Sequence, residues 1–427
     1  MLRRSLLLAA LGTVLPAPAA GTAGYVRDEV VVRYAAAPAP VTRAVKVPAG
    51  STVAATIARL RERPGVLSAT PNYIARASFV PDDPGRIGLP GGWLQLQWNF
   101  AGPWGINAPD AWDNLARAGH PGGSGVVVAV VDTGVAYSDR GRFTRSPDLR
   151  GNRFVRGYDF VDDDSYPNDL NGHGTHVAST IAESIDNGVG VTGVAFGARI
   201  MPVRVLDKRG EGDSLAIARG IRFAARKRVH IINLSFEFGR RVSARDIPDI
   251  LDALRFARRK GVLIVGASGN SRRDDVSYPA RSDDVLSVGA TTERGCRAKY
   301  SNSGPTLDLV APGGGPRDAP LRGDPNCRPG ERTGRDIFQM TFTGNPGAFG
   351  LPAGYRGTSM AAPHVSGTAA LAIASGLLGS RPAPAAIEAH LKATARDLGT
   401  PGPDEHYGAG LIDAAAATAP PAVSSSG

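Results

Sequence analysis

The chain has 427 residues, 42% hydrophobic and 21% charged, with a formal net charge of +10. That composition excludes a chain too polar to bury a core and supplies apolar side chains for a large one. The Arg and Lys excess is scattered, and Arg258-Arg259-Lys260 falls at a helix end where cations are favoured, so no nucleic-acid partner is expected.

Taken in order, Met1-Leu2-Arg3-Arg4 is basic and Ser5-Leu6-Leu7-Leu8-Ala9-Ala10-Leu11 is apolar. Small residues follow at Ala17-Pro18-Ala19 and at Ala23. This is the layout of a signal peptide over residues 1–23, and it predicts a secreted protein, extracellular or periplasmic. The apolar run is too short to span a bilayer, so no membrane anchor is expected.

Residues 24–85 read as a separate small α+β module. Asp28-Glu29-Val30-Val31-Val32-Arg33-Tyr34 has strand character. Ser51 is placed to cap a helix with Val53, Ile57 and Leu60 on one face, stopped by Pro64-Gly65. Residues 66–74 read as a turn between further strands. Residues 80–92 are rich in Pro, Gly and Asp, so a linker is expected at 86–94, with a processing site nearby.

From residue 95 the pattern becomes strands alternating with helices. Residues 126–131 form a continuous apolar run, as a parallel strand buried on both faces requires. Residues 200–206, 229–234, 262–265 and 285–288 repeat it. Helical stretches lie between, one carrying Leu215, Ile217, Ile221 and Ala224, another Ile247, Ile250, Leu251 and Leu254 before Gly261. The fold class is therefore α/β: a parallel sheet with helices on both faces over residues 95–415, its chemistry at the carboxyl ends of the strands. From Ala414 onward the chain is Ala, Pro and Ser without a core pattern, so disorder is expected over 416–427.

Three polar motifs interrupt the apolar pattern. Asp132 ends the first long strand in Val131-Asp132-Thr133-Gly134, and His173 opens a helix in Asn171-Gly172-His173-Gly174-Thr175-His176-Val177-Ala178. Ser359 opens a helix that is apolar all round, in Gly357-Thr358-Ser359-Met360-Ala361-Ala362-Pro363-His364. Pro363 is expected to lie near the helix start, where backbone N–H groups have no intrahelical partner. A serine hydroxyl attacks only when a base takes its proton, and the imidazole needs an acid to fix its tautomer. His173, with His176 three residues on, also has the spacing of a zinc pair, but no well-placed third ligand follows, and His176 reads as a core histidine.

The order Asp132, His173, Ser359, with these three motifs, resembles the subtilisin-like serine proteases over residues 95–415. The resemblance implies a serine endopeptidase, monomeric, acting on protein or peptide substrates through an acyl-enzyme, on a three-layer α/β domain. It implies that Asn270, in Gly266-Ala267-Ser268-Gly269-Asn270, holds the oxyanion, with Gly266, Ser268 and Gly269 beside it. Ser235, Phe236 and Glu237 correspond to the strand that pairs with substrate, Gly210 and Gly212 to the opposite wall, and Ser277 to the floor of the pocket for the residue before the scissile bond. The family usually has Gly where Glu237 stands. The early module resembles the family's inhibitory propeptide, here a ferredoxin-like one, which would be cut off by the enzyme itself.

The resemblance also implies structural calcium. Asp159, Asp162, Asp164 and Asn168 match a calcium loop of the thermitase branch, although Tyr166 stands where that branch has Thr. Gln97, Asp148 and Asn187, with the carbonyls of Val189 and Val191, match a tighter site. Cys296 and Cys327 suit one disulfide in an exported protein, or two free thiols. An esterase on another α/β scaffold would need Gly-x-Ser-x-Gly and the order Ser, Asp, His, which Gly357-Thr358-Ser359-Met360-Ala361 does not give. A binding domain that kept the fold without turnover would need one of the catalytic positions lost, and all are filled.

Overall fold

The computed structural model describes residues 25–73, 79–322, 324–330 and 334–420. The expected signal peptide and residues 421–427 of the expected tail lie outside them. The chain divides into two compact units between Ala77 and Ser78.

In the smaller unit, β1 (Tyr25–Tyr34) is the centre of an antiparallel sheet, between β2 (Val41–Lys46) and β3 (Val66–Tyr73). The helix Val53–Arg61 buries Val53, Ile57 and Leu60 against Val30, Val32 and Ala69. Its cap is Thr52, one residue later than expected, whose hydroxyl accepts from the Ala55 N–H at 3.1 Å. The turn expected within 66–74 is instead part of β3. Pro71 is tolerated there because β3 is an edge strand. One helix and three strands are fewer elements than a ferredoxin-like fold has, among the described residues.

The larger unit is built on seven parallel strands: β4 (Val127–Asp132), β5 (Tyr158–Asp159), β6 (Arg199–Arg204), β7 (Ile231–Leu234), β8 (Leu263–Ala267), β9 (Leu286–Thr291) and β10 (Leu309–Pro312). Their spatial order is β10-β9-β8-β7-β4-β6-β5. Chain direction across the sheet reverses between β4 and β7, and an open sheet leaves a crevice outside the carboxyl ends at such a point. Along β4, Val128 and Val130 enter one core with the helices Ala108–Arg117, His173–Ala182 and Thr358–Ala374. Val127, Ala129 and Val131 enter the other, with the helices Ser214–Arg226 and Pro248–Arg259. Two-residue alternation with both faces buried gives three layers.

Two boundaries differ from expectation. The segment expected as a linker at 86–94 is tied into the larger unit. Trp93 is fully buried, with its indole N–H on the Pro81 carbonyl at 2.8 Å, and the Gly85 N–H donates to the Gly190 carbonyl at 2.8 Å. A Pro- and Gly-rich composition marks turns as readily as flexibility. The tail begins with a helix, Ala414–Thr418, capped by Asp413. Ala414, Ala417 and Thr418 are buried, and Asn114 donates to the Ala415 carbonyl at 3.1 Å. Alanines small enough to seat a helix closely on its neighbour read, in sequence, as low complexity.

Cys296 and Cys327 form a disulfide across 31 residues of chain, with Cα atoms 4.3 Å apart. Closing a loop of that length should stabilise the fold by about 3–4 kcal/mol. Cys296→Ser with Cys327→Ser should lower the calorimetric melting temperature correspondingly. Equal melting with and without reductant in the native protein would contradict this.

Candidate active site

Asp132 ends β4 and is fully buried. One carboxylate oxygen accepts the Thr133 N–H at 2.7 Å and faces His173 Nδ1 at 2.7 Å. The other, Oδ2, is buried without a hydrogen-bond partner among the described residues. His173 comes from the start of the helix His173–Ala182, and its side chain is 26% exposed. Burial alone would push its pKa down, but the Asp132 charge and hydrogen bond outweigh it and hold the imidazole above its ordinary value. The helix reaches the strand end so closely that a Cβ on Gly174 would stand 2.1 Å from the Gly134 carbonyl oxygen. Only glycine fits there.

Asp169 organises this helix start, a role the sequence reading missed. Its carboxylate accepts the N–H groups of Asn171, Gly172 and Thr175 and the hydroxyls of Thr133 and Thr175. An Asp before an Asn-Gly turn signals a side-chain turn onto the backbone two residues on, but in the sequence it merged with the acidic run before it. His176 is a core residue: fully buried, with Nε2 3.1 Å from the Ile337 carbonyl and its ring stacked on Tyr355 at 4.1 Å. Burial pushes its pKa down to about 3.

Ser359 lies in the first turn of the helix Thr358–Ala374, whose residues from Met360 to Ile373 are all buried. Pro363 is not in that first turn, contrary to expectation. Lacking an N–H, it leaves the Ser359 carbonyl without its i+4 donor, and the Ser235 hydroxyl supplies one at 2.8 Å. A buried chain continues behind it. Asn233 Nδ2 donates to Ser235 Oγ at 2.8 Å, and Ser366 Oγ donates to Asn233 Oδ1 at 2.9 Å. The end of β7 is thus fastened to the nucleophile's helix.

Beyond β8, Asn270 Oδ1 accepts the Thr358 N–H at 2.9 Å and the Thr358 hydroxyl at 3.1 Å. With its oxygen committed beside the helix start, the amide presents its NH₂ end outward. Ser268 is buried, and its carbonyl accepts both the Ser277 N–H at 2.8 Å and Asn302 Nδ2 at 3.1 Å. Asn302, which the sequence did not single out, also donates to Ser277 Oγ at 3.0 Å and accepts the N–H groups of Ser271 and Arg273. Gly266 is buried in packing, Phe236 leans on Phe238, and Gly210 and Gly212 lie exposed in a loop whose Lys208 carbonyl accepts from Asn171 Nδ2.

The two expected calcium positions differ. In the 159–168 loop the carboxylates are already satisfied by protein donors. Arg204 places one guanidinium nitrogen 2.6 Å from both Asp159 and Asp162, and Arg219 pairs with Asp163 at 3.2 Å. Asp164 accepts the Tyr166 N–H, and Asn168 Oδ1 accepts the Ser138 hydroxyl. A bound cation does not fit this arrangement. The tighter position is otherwise. Asp148 is buried and accepts from Asn187 Nδ2 and the Val191 N–H, while Gln97 Oε1 accepts from Thr192. Burial pushes the Asp148 carboxyl up to about 8 and the nearby Asp83 up to about 6. Glu183 Oε2 is buried and unpartnered. No Lys or Arg pairs with these acids among the described residues, and no cluster of three or more His, Cys, Asp or Glu side chains is gathered as a metal site there. Without a cation, burial keeps Asp148 and Glu183 protonated near neutral pH; a hard cation held by Asp148 and neighbouring amide and carbonyl oxygens would supply the offsetting charge.

Residues 123–410 match the model of the subtilase family. The chain is 38% identical over 320 residues to subtilisin Savinase of Lederbergia lenta, covering 74% of this chain and 98% of that protein. It is 35% identical over 324 residues to a thermophilic serine proteinase of Bacillus sp. (strain AK1), covering 76% and 67%. Among solved structures, a protease from Pseudoalteromonas arctica PAMC 21717 superposes with a TM-score of 0.62 at 31% identity, covering 80% of this chain and 99% of that one. A cold-adapted subtilisin-like serine proteinase superposes with a TM-score of 0.51 at 30% identity, covering 68% and 88%. The chain belongs to the subtilase family and is a serine-type endopeptidase on the subtilisin-like α/β fold.

Proposed function

We propose that this subtilase is a secreted endopeptidase working through Asp132, His173 and Ser359, with Asn270 as oxyanion donor, and made as a self-processing precursor. The 2.7 Å contact between His173 and Asp132, at the sheet's switch point and beside the Ser359 helix, carries the reading. His173 Nε2 takes the Ser359 proton as Oγ attacks the peptide carbonyl, and Asp132 holds the resulting imidazolium. The Asn270 amide and the helix N-terminus meet the developing oxyanion. His173 returns the proton to the leaving amine, and water repeats the sequence on the acyl-enzyme. A fluorophosphonate should label Ser359 covalently in the native protein. Absence of labelling would end this reading.

The His173 environment sets the pH dependence. A raised pKa favours imidazolium, which cannot accept a proton, so activity is lost as pH falls through it. The acid limb of kcat/KM should therefore lie above the ordinary histidine value of 6.5. Asp132→Asn should move that limb down and lower kcat by about 10⁴. A limb that stays in place in the variant would show that Asp132 does not act on His173.

Secretion is supported by the basic and apolar N-terminus and by the disulfide. Among the described residues, no helix is long and apolar enough to cross a membrane. Residues 24 to about 77 serve as the enzyme's own inhibitor and folding aid. Processing falls near the boundary between the units, earlier than the 86–94 segment that is built into the larger one. Calcium belongs at Gln97, Asp148 and Asn187 with the Val189 and Val191 carbonyls, where it would offset buried negative charge.

A further inference from the structure

We infer that Glu237 makes this enzyme select lysine or arginine immediately before the scissile bond. The inference rests on the proposed catalytic reading and on the family resemblance, which implies that Ser277 lies at the floor of that pocket. Glu237 stands two residues beyond Ser235, the residue fastened to the Ser359 carbonyl. Its side chain crosses from the end of β7 to the segment after β8. Oε1 accepts the Asn270 N–H at 2.8 Å, and Oε2 accepts the Ser277 hydroxyl at 2.9 Å. Gly269 lies directly behind the carboxylate: a Cβ there would stand 2.4 Å from Glu237 Oε2, and its φ of +108° already calls for glycine. The carboxylate is therefore fixed against one wall of the pocket, next to the residue whose amide serves the oxyanion.

Each oxygen uses one acceptor site on the protein and keeps another free. No cation pairs with Glu237 among the described residues. The two arginines that would argue for acidic substrates are turned to other tasks. Arg273 pairs with Asp275 and donates to the Arg240 carbonyl, and Arg272 lines a separate cavity with Lys299, Tyr300, Arg317 and Arg356. An ammonium or guanidinium entering the pocket meets a preorganised, half-buried carboxylate with open lone pairs, whereas an acidic side chain meets a like charge.

The test measures kcat/KM for peptide amides that differ only in the residue before the scissile bond: Lys, Arg, Ala, Leu, Phe and Glu. Lys and Arg should lead Leu and Phe by about 10²-fold, with Glu lowest. Glu237→Gln should lower the Lys and Arg values about 10²-fold and so remove the ranking. Fluorophosphonate labelling of Ser359 in the same samples separates the two readings. An unlabelled wild-type protein overturns the catalytic assignment. A labelled wild type that prefers Ala, Leu or Phe overturns the role of Glu237, leaving it as a plug that shortens the pocket. Should Glu237→Gln not accumulate, the wild-type ranking decides alone.

Discussion

Ser359→Ala is expected to lower kcat by about 10⁶, to abolish covalent labelling, and to leave the precursor uncut near Ala77 and Ser78. Thermal stability should barely change. The helix Thr358–Ala374 is entered through Gly357 and has no side-chain cap bond, so removing the Ser359 hydroxyl removes no cap. What fixes this turn is the Ser359 carbonyl, bonded by Ser235, and the Thr358 N–H, bonded by Asn270. Both survive the substitution. Asn270→Ala is different: it should cost only about 10²–10³ in kcat, yet it frees the Thr358 N–H and so should cost some stability. N-terminal sequencing of Ser359→Ala made without other proteases checks the processing step. A normal mature terminus there would show that another enzyme makes the cut.

The parts legible in the sequence were those where one residue carries one requirement. The unbroken apolar run into β4 announced a buried parallel strand, and Asp132 at its end announced a polar site. The apolar surround of the Ser359 helix announced burial, and the helix from Met360 to Ile373 is buried throughout. The fold class followed from alternation, because strands buried on both faces need helices on both sides. What stayed hidden depends on partners far apart in the chain. Asn302 ties Ser268 to Ser277 across a gap that no local pattern marks. Pro363 could be placed in the first turn or beyond it, and only the helix start at Thr358 decides that Ser235 must complete its geometry. The acidic loop misled for the same reason. Five carboxylates within 159–169 read as a cation site, because Arg204, which neutralises two of them, comes from β6.

Chelation should lower the melting temperature of the Ser359→Ala protein, and Asp148 rather than Asp162 should carry the effect. In the 159–168 loop the negative charge is already met by Arg204 and Arg219, so a cation there would have to displace a guanidinium held at 2.6 Å by two carboxylates. Around Asp148 no such cation is present among the described residues, and Asp83 and Glu183 add to the same buried charge. An ion that binds only the folded site stabilises by mass action, about 2.7 kcal/mol at a hundredfold excess over Kd. For a unit as long as Ser78–Pro420 that corresponds to about 4 °C. The readout is the difference in melting between millimolar calcium and chelator, so a variant that is itself less stable still reports. Asp148→Ala should abolish that difference, and Asp162→Ala should leave it intact while lowering stability modestly through the lost Arg204 contact. Loss of the difference in Asp162→Ala alone would move the cation to the loop. Equal melting of the parent protein in calcium and in chelator would mean that the Asp148 cluster is held neutral by protons instead of a metal.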